Sequence, residues 1–305
     1  MLNTPILFLI FNRPDTAQRV FNEIRKIQPK RLYVAADGPR KQVINELEAC
    51  TKTRQIIDQV DWDCEVYKLF REENIGLRKN VGGAITWFFK NEPYGIVLED
   101  DCLPDLSFFS FCEELLVKYK DNEKIMHIGG NNFQPMPRGE GSYYYSKISH
   151  IWGWASWSRA WKYFDPDMEG FGDFLKSDKI KEIFEDKYSQ KRWISMLKKS
   201  YKPSSRSWAY PWSFSIFNQN GICITPNKNL VTNIGFGIGG THSLNKKDKF
   251  ANLKLESITK MIHPMEIEVC KEADEYTNHN NFKRSSFPQL MKKAYLKGIQ
   301  KLRGQ

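Results

Sequence analysis

Three short apolar runs, PILFLIF (5–11), RLYVAAD (31–37) and GIVLEDD (95–101), each end abruptly in polar or charged residues. This repeated device constrains the fold more than any other feature of the chain. Runs of this length, bounded by turn residues, read as buried strands. Between the first two, Ala17, Val20, Phe21, Ile24 and Ile27 recur at the spacing of an amphipathic helix. A polar helix then leads to CEVYKLF (64–70), and a further helix covers roughly 78–90 before GIVLEDD. Such βαβα order predicts an α/β fold, a Rossmann-like, mostly parallel sheet flanked by helices, with ligands beyond the carboxyl ends of the strands. Asn12-Arg13, Asp37-Gly38-Pro39 and Glu99-Asp100-Asp101 follow three of those strands. All three clusters are therefore expected to open onto one crevice.

The length, 305 residues, suffices for a full core, and 41% hydrophobic with 27% charged residues is ordinary for a globular protein, so disorder is not the default. Lys and Arg number 46 against 36 Asp and Glu, a formal charge of +10. That excess suits anionic partners without choosing among nucleic acid, phosphorylated ligands and membrane surfaces. Six cysteines without a CxxC pair indicate neither a zinc site nor a dense disulfide framework, and a reducing, cytoplasmic setting is the simplest reading. PILFLIF is too short to span a membrane and lacks the basic leader of a signal peptide.

From about Asn131 the chain becomes richer in aromatics and loops, with no repeat period and no linker. Residues 1–130 are expected to form the ligand-binding half of one domain, and residues 131–282 to complete the sheet and supply an aromatic-rich second lobe. Residues 283–305 change character. Leu290, Met291, Ala294, Tyr295, Ile299 and Leu302 cover one arc of a helical wheel, with Lys292, Lys293, Lys297, Lys301 and Arg303 around the remainder. This basic amphipathic tail is expected to lie on an anionic membrane surface.

Glu99, Asp100 and Asp101 are the first candidate site. Adjacent carboxylates raise one another's pKa unless something cationic sits among them, and Mn2+ or Mg2+ is the obvious candidate. Such hard cations keep waters while bridging one or two carboxylates to a diphosphate. A solvated acidic turn before a helix starting at Pro104-Asp105 would explain the same residues without a ligand. Arg13 and Arg78 could pair with phosphate oxygens or simply face solvent. Asp37 could accept from a nucleobase imide or belong to a plain Asp-Gly-Pro turn. In HIWGWASWSRAW, Trp157 and Trp161 read as core, whereas Gly153 beside Trp152 and Trp154 would allow an indole to serve as a sugar platform. His127 in MHIGG reads as an interior histidine, and His242 in GIGGTHS as a metal or phosphate ligand.

These motifs, FNRP, ADGP, IVLEDD, WGW, the pair Trp208 and Trp212, and ITPNKNLVTNIGFG, together resemble bacterial glycosyltransferases of the GT-A fold related to N-acetylglucosaminyltransferase I. The resemblance runs from about residue 5 to about residue 243. It implies that Asp101 is the direct metal ligand, completed by His242, and that Asp100 lies near the ribose and the metal's waters. Glu99 would contact hydroxyls of the transferred sugar, Asp37 the uracil, Arg13 the nucleotide and Arg78 the diphosphate. One departure stands out. Where relatives commonly carry an aspartate near Trp208 as catalytic base, this chain has SWAYPW with Ala209. Asp165, Asp167 and Glu169 are the substitute candidates.

The resemblance thus implies a metal-dependent hexosyl- or N-acetylhexosaminyltransferase. It would take a nucleotide-diphosphate sugar, UDP-linked, and pass the sugar to a hydroxyl of a surface polysaccharide or lipid-linked glycan. The enzyme would be cytoplasmic and peripheral on the inner face of the plasma membrane, with no nucleic-acid partner. The alternative is a catalytically silent sugar or nucleotide binder of the same fold. A nucleotidylyltransferase would need a glycine-rich loop after the first strand, and FNRPDTAQR contains no glycine.

Overall fold

A computed structural model describes residues 1–236 and 249–280. His242 and the tail 283–305 lie outside the described residues.

The expected α/β alternation is present. Strand β1 (Ile6–Ile10) leads into α1 (Pro14–Ile27), followed by β2 (Arg31–Ala36), α2 (Glu46–Gln55), β3 (Glu65–Phe70), α3 (Leu77–Asn91) and β4 (Tyr94–Glu99). A short β5 (Cys102–Pro104), α4 (Leu106–Lys118) and β6 (Ile125–Gly129) complete the first half. The second half adds β7 (Tyr143–Ser146), β8 (Trp154–Trp157), α5 (Ser158–Trp161), α6 (Phe171–Lys176), α7 (Lys179–Ile183), α8 (Lys187–Ser200) and α9 (Ala209–Asn218). It closes with β9 (Ile222–Pro226), β10 (Val231–Asn233) and α10 (Lys271–Asn280).

Local chemistry explains the helix ends nearest the strand mouths. Helix α1 has Pro14 in its first turn, Asp15 beside the positive amino end, and Arg25 and Lys26 beside the negative carboxyl end. Asp105 caps α4 by accepting from the Ser107 amide at 2.9 Å. The acidic triplet itself caps no helix, because β5 intervenes before α4.

Eight strands form one sheet in the order β3-β2-β1-β4-β8-β6-β9-β7. β3, β2, β1 and β4 pair in parallel, β6 and β9 likewise, whereas β8 runs antiparallel to both β4 and β6, and β7 antiparallel to β9. Strands of both halves therefore share a single sheet, and β8 is wedged at its centre.

Alternation along β1 divides the core between the two faces. Ile6, Phe8 and Ile10 pack with Val20, Phe21 and Ile24 of α1 and with Phe108, Phe111 and Leu115 of α4. Leu7 and Leu9 pack on the other face with Val81, Ile85 and Phe88 of α3 and with Trp161 and Trp212. Burying each such side chain contributes about 1.5–3 kcal/mol, which is why the sheet is covered on both sides. A satellite core joins α6 through α9, with Phe171, Phe184, Trp193, Leu197 and Phe214. Among the described residues, no helix is long and apolar enough to cross a membrane.

Candidate functional site

The three strand-end clusters meet at one edge of the sheet. Register places Leu9 of β1 beside Glu99 of β4 and Ile10 beside Ala36 of β2, so the residues that follow emerge side by side. Arg13, just before α1, turns back over the triplet. Its Nη2 pairs with Asp100 Oδ1, and its Nη1 donates to Asp101 Oδ2 at 2.8 Å. Asp100 Oδ2 also accepts the Phe11 amide at 3.2 Å. The cation that the crowded carboxylates require is, within the chain itself, a planar guanidinium whose two arms span two side chains.

Electrostatics follow from that placement. Burial works against the Arg13 charge, yet Asp100 and Asp101 outweigh it and raise its pKa above the ordinary value. Burial pushes Asp100 up, with Arg13 offsetting part of the effect. Glu99 is pushed up more strongly, by burial first and then by the neighbouring Asp101 and Asp100 charges. Glu99 accepts from no side-chain or backbone donor among the described residues.

The two-stranded pairing of β5 with β10 brings a lid of backbone over the cluster, because Asn233 sits opposite Cys102 and the Ile234 amide donates to the Asp101 carbonyl at 2.8 Å. Next comes Gly235. A Cβ there would lie 2.4 Å from Asp101 Oδ2 and 2.6 Å from Arg13 Nη1, so only glycine admits the ion pair beneath it. Phe236 then packs edge-on against Trp152, ring centroids 5.8 Å apart.

The remaining expected residues fall into place unevenly. Asp37 is buried, and its oxygens accept from the amides of Gly38, Ile75 and Gly76, each at 3.0 Å. It ties the loop before α3 to the end of β2, and Gly76 can take its place there because it holds φ at +85°. Arg78, in the first turn of α3, donates to the Ser200 carbonyl at 3.1 Å. Asp165 closes its own turn, accepting from the amides of Asp167 and Glu169. Ala209 stands in the first turn of α9.

For Trp154 the geometry requires a correction. This indole is 1% exposed, and its faces stack on His127 and Trp208 at 5.2 and 5.9 Å. No face remains open for a sugar. The antiparallel insertion of β8 is the cause, since it pairs Trp154 with both Val97 and Gly129 in mid-sheet. The half-buried indole at the crevice edge is Trp152, which also meets Phe133 at 5.2 Å. His127 is an interior histidine, as expected. Its Nε2–H donates to the His150 carbonyl at 2.8 Å, while Nδ1 accepts from the Trp212 indole at 3.3 Å.

Glu46 was not foreseen. Buried in the first turn of α2, it accepts from Asn12 at 2.8 Å and from the Arg40 amide at 2.6 Å, joining the loops after β1 and β2. Its partner Asn12 lies 34 positions away, and no local pattern marks the pairing. Asn131, just past β6, is buried with its Oδ1 accepting the Trp152 amide at 3.3 Å and its Nδ2 unpartnered among the described residues.

The donor set suits a hard cation. Asp101 keeps Oδ1, met by the Cys102 thiol at 3.5 Å, and Glu99 lies beside it. These oxygens could hold a metal only together with the ligand's own oxygens. Among the described residues, the three-ligand group whose atoms converge within 4.8 Å is Asp186, Glu275 and His279, between α8 and α10. There His279 Nε2 already bonds Asp186 Oδ1 at 3.1 Å. A surface hollow of about 860 Å³ is lined by Lys118, Tyr119, Lys124 and Ile222, at the edge where strands β6 and β9 begin.

No protein-family model matches the chain, and no curated protein matches it. Solved structures similar to it include HddC from Yersinia pseudotuberculosis, at 11% identity over 51% of this chain and 77% of that one, TM-score 0.32. S. aureus TarS 1–349 is 10% identical over 75% of this chain and 59% of that one, TM-score 0.41. GalNAc-T7 with UDP, GalNAc and Mn2+ is 12% identical over 74% and 43%, TM-score 0.43. This chain thus spans less than two thirds of the TarS and GalNAc-T7 chains. Likeness at this level carries no argument about activity, which has to rest on the residues.

Proposed function

We propose that the chain is a glycosyltransferase of the GT-A type that takes a nucleotide-diphosphate sugar, UDP-linked, in the crevice at the carboxyl ends of β1, β2 and β4. The observation that carries this reading is the convergence of Arg13, Asp100 and Asp101 beneath Gly235, at the edge where open α/β sheets bind ligands. The likeness to GalNAc-T7, whose structure holds UDP, GalNAc and Mn2+, agrees with it without deciding it.

In this reading Asp101 Oδ1 would hold Mn2+ or Mg2+, and His242 would complete the set. When bound, the metal supplies positive charge to the departing diphosphate. The chain's own residues do the rest. Arg13 orients the two aspartates and offers a guanidinium to the nucleotide, and Arg78 lies on the diphosphate side. Asp37 holds the loop against which the uracil would sit. Glu99 would contact hydroxyls of the transferred sugar. Electrostatic stabilisation of the leaving group is the largest contribution expected of such a site. A glycan hydroxyl of a surface polysaccharide or a lipid-linked chain would be the acceptor, and the tail 283–305 would hold the enzyme at an anionic membrane.

A second reading, a silent nucleotide-sugar binder, is favoured by two facts. Ala209 offers no carboxylate in the first turn of α9, and Asp165 is committed to its own turn. Thermal shift with UDP-, GDP-, dTDP- and CMP-sugars, each with and without Mn2+, tests both readings at the donor step. Metal-dependent stabilisation by one nucleotide class, lost in Asp101→Asn, is the expected result. No shift with any donor would overturn both readings, and a shift without turnover on any acceptor would leave the silent binder.

A further inference from the structure

Residues 187–206, the whole of α8 and the loop after it, contain seven Lys or Arg and no Asp or Glu. Several lysines elsewhere on the surface are paired, as in Lys41–Glu73, Lys52–Glu48, Lys68–Asp58 and Lys271–Glu185. Among the described residues, Lys198, Lys199, Lys202 and Arg206 meet no carboxylate. All four are exposed, so their fields add rather than cancel.

Two anchors set this basic strip at the rim of the candidate site. At its start, the Ser200 carbonyl accepts from Arg78, two residues beyond the Gly76 amide that Asp37 holds. At its end, Trp208 stacks on Trp154, whose β4 partner Val97 lies two residues before Glu99. The loop 201–207 is therefore strung between the β2 side and the β4 side of the crevice.

We propose that this rim, Lys199, Lys202 and Arg206, binds the phosphate groups of a phosphate-bearing glycan acceptor. The word acceptor rests on the transferase reading above. A donor diphosphate would fill only part of the strip, because the cations of residues 187–206 are spread over α8, about 21 Å at 1.5 Å per residue, and the loop after it. A membrane surface fits less well. Helix α8 spends its apolar side, Trp193, Met196 and Leu197, on the core, whereas a membrane-seated helix must turn an apolar face outward. A flexible chain with phosphates at regular intervals matches both the length and the sign of the strip.

The test uses the full chain and a fluorescein-labelled glycerol-phosphate hexamer as probe, read by fluorescence anisotropy at about 0.15 M salt. The rim variant is Lys199→Gln/Lys202→Gln/Arg206→Gln. A control, Lys118→Gln/Lys120→Gln/Lys124→Gln, removes equal charge around the hollow at the opposite edge. Binding is expected to weaken about tenfold or more in the rim variant and less than about twofold in the control. Neutral maltohexaose should not compete, and the UDP-sugar thermal shift should be the same in all three proteins. Equal loss in both variants would reduce the effect to net charge and overturn the proposal. So would tighter binding to single-stranded DNA or to phosphatidylglycerol vesicles than to the hexamer, or no hexamer binding at all. Loss of the UDP-sugar shift in the rim variant alone would reassign the cations to the donor. Rim-dependent hexamer binding in a protein that no nucleotide sugar stabilises would overturn the transferase reading and keep the phosphate site.

Discussion

Two buried polar constellations in this molecule lie within a few residues of the same strands and follow opposite designs. Around Arg13, three carboxylates and one guanidinium leave a net negative group in which Glu99 has no donor among the described residues. Around His127, every ring nitrogen has a partner. Trp212 donates to one and the His150 carbonyl accepts from the other, while burial lowers the His127 pKa to about 4. Satisfied, neutral networks rigidify a core, whereas an unsatisfied charged group is expensive unless a ligand completes it. On the proposed reading, the difference makes the first a place for chemistry and the second architecture.

The largest effect should come from the architectural side. Trp154→Ala empties the space between His127 and Trp208 and should cost about 3–5 kcal/mol of stability by denaturant unfolding. A donor-dependent Tm increase surviving in whatever protein remains folded would keep the two constellations distinct. If instead the variant folds normally but loses nucleotide-sugar binding, Trp154 belongs to the site after all.

Asp101→Asn should do the reverse. Transfer, measured on the acceptor that supports turnover, should fall about a hundredfold or more, with the Tm of the ligand-free protein changed by only a few degrees. A large loss of stability with little loss of transfer would move Asp101 to the architectural class. Gly235→Ala is milder. Its Cβ would force Arg13 and Asp101 apart, and calorimetry should find donor affinity weakened about tenfold. Unchanged affinity would show that the pairing beneath Gly235 is dispensable.

The smallest effect is in pH. His127 and His150 have pKa values lowered to about 4 and about 3 by burial, so the unfolded chain binds more protons than the native one below pH 6.5. Their contribution is complete above that pH and is lost as pH falls. Asp274 opposes them. Burial, outweighing its bonds from Ser146 and the Lys147 amide, pushes it up to about 7. Its contribution is complete below about pH 4, the unfolded value, and is lost as pH rises through 7. Between pH 6.5 and 5.5 the terms partly cancel, leaving a mean slope of about half a proton, roughly 0.8 kcal/mol over the interval. Asp274→Asn should more than double that slope in urea unfolding, and an unchanged slope would remove Asp274 from the balance.

Much of this was legible in one dimension. Strand parity and helical spacing, read from Ile6 to Glu99, determined the βαβα order and which residues stand at strand ends, because both periods are properties of the local backbone. That Asp37, Arg13 and Asp101 share one edge followed from the same order, since parallel strands must all end on the same side. What the sequence could not determine was partnership. Arg13 meets Asp100 and Asp101 across 87 and 88 positions, Glu46 reaches Asn12 across 34, and Gly235 covers them from a strand pair far along the chain. Likewise, WGW does not disclose which tryptophan is sealed. Only the wedging of β8 between β4 and β6 decided that Trp154 is core and Trp152 edge, because burial is a property of the assembled sheet and not of the strand.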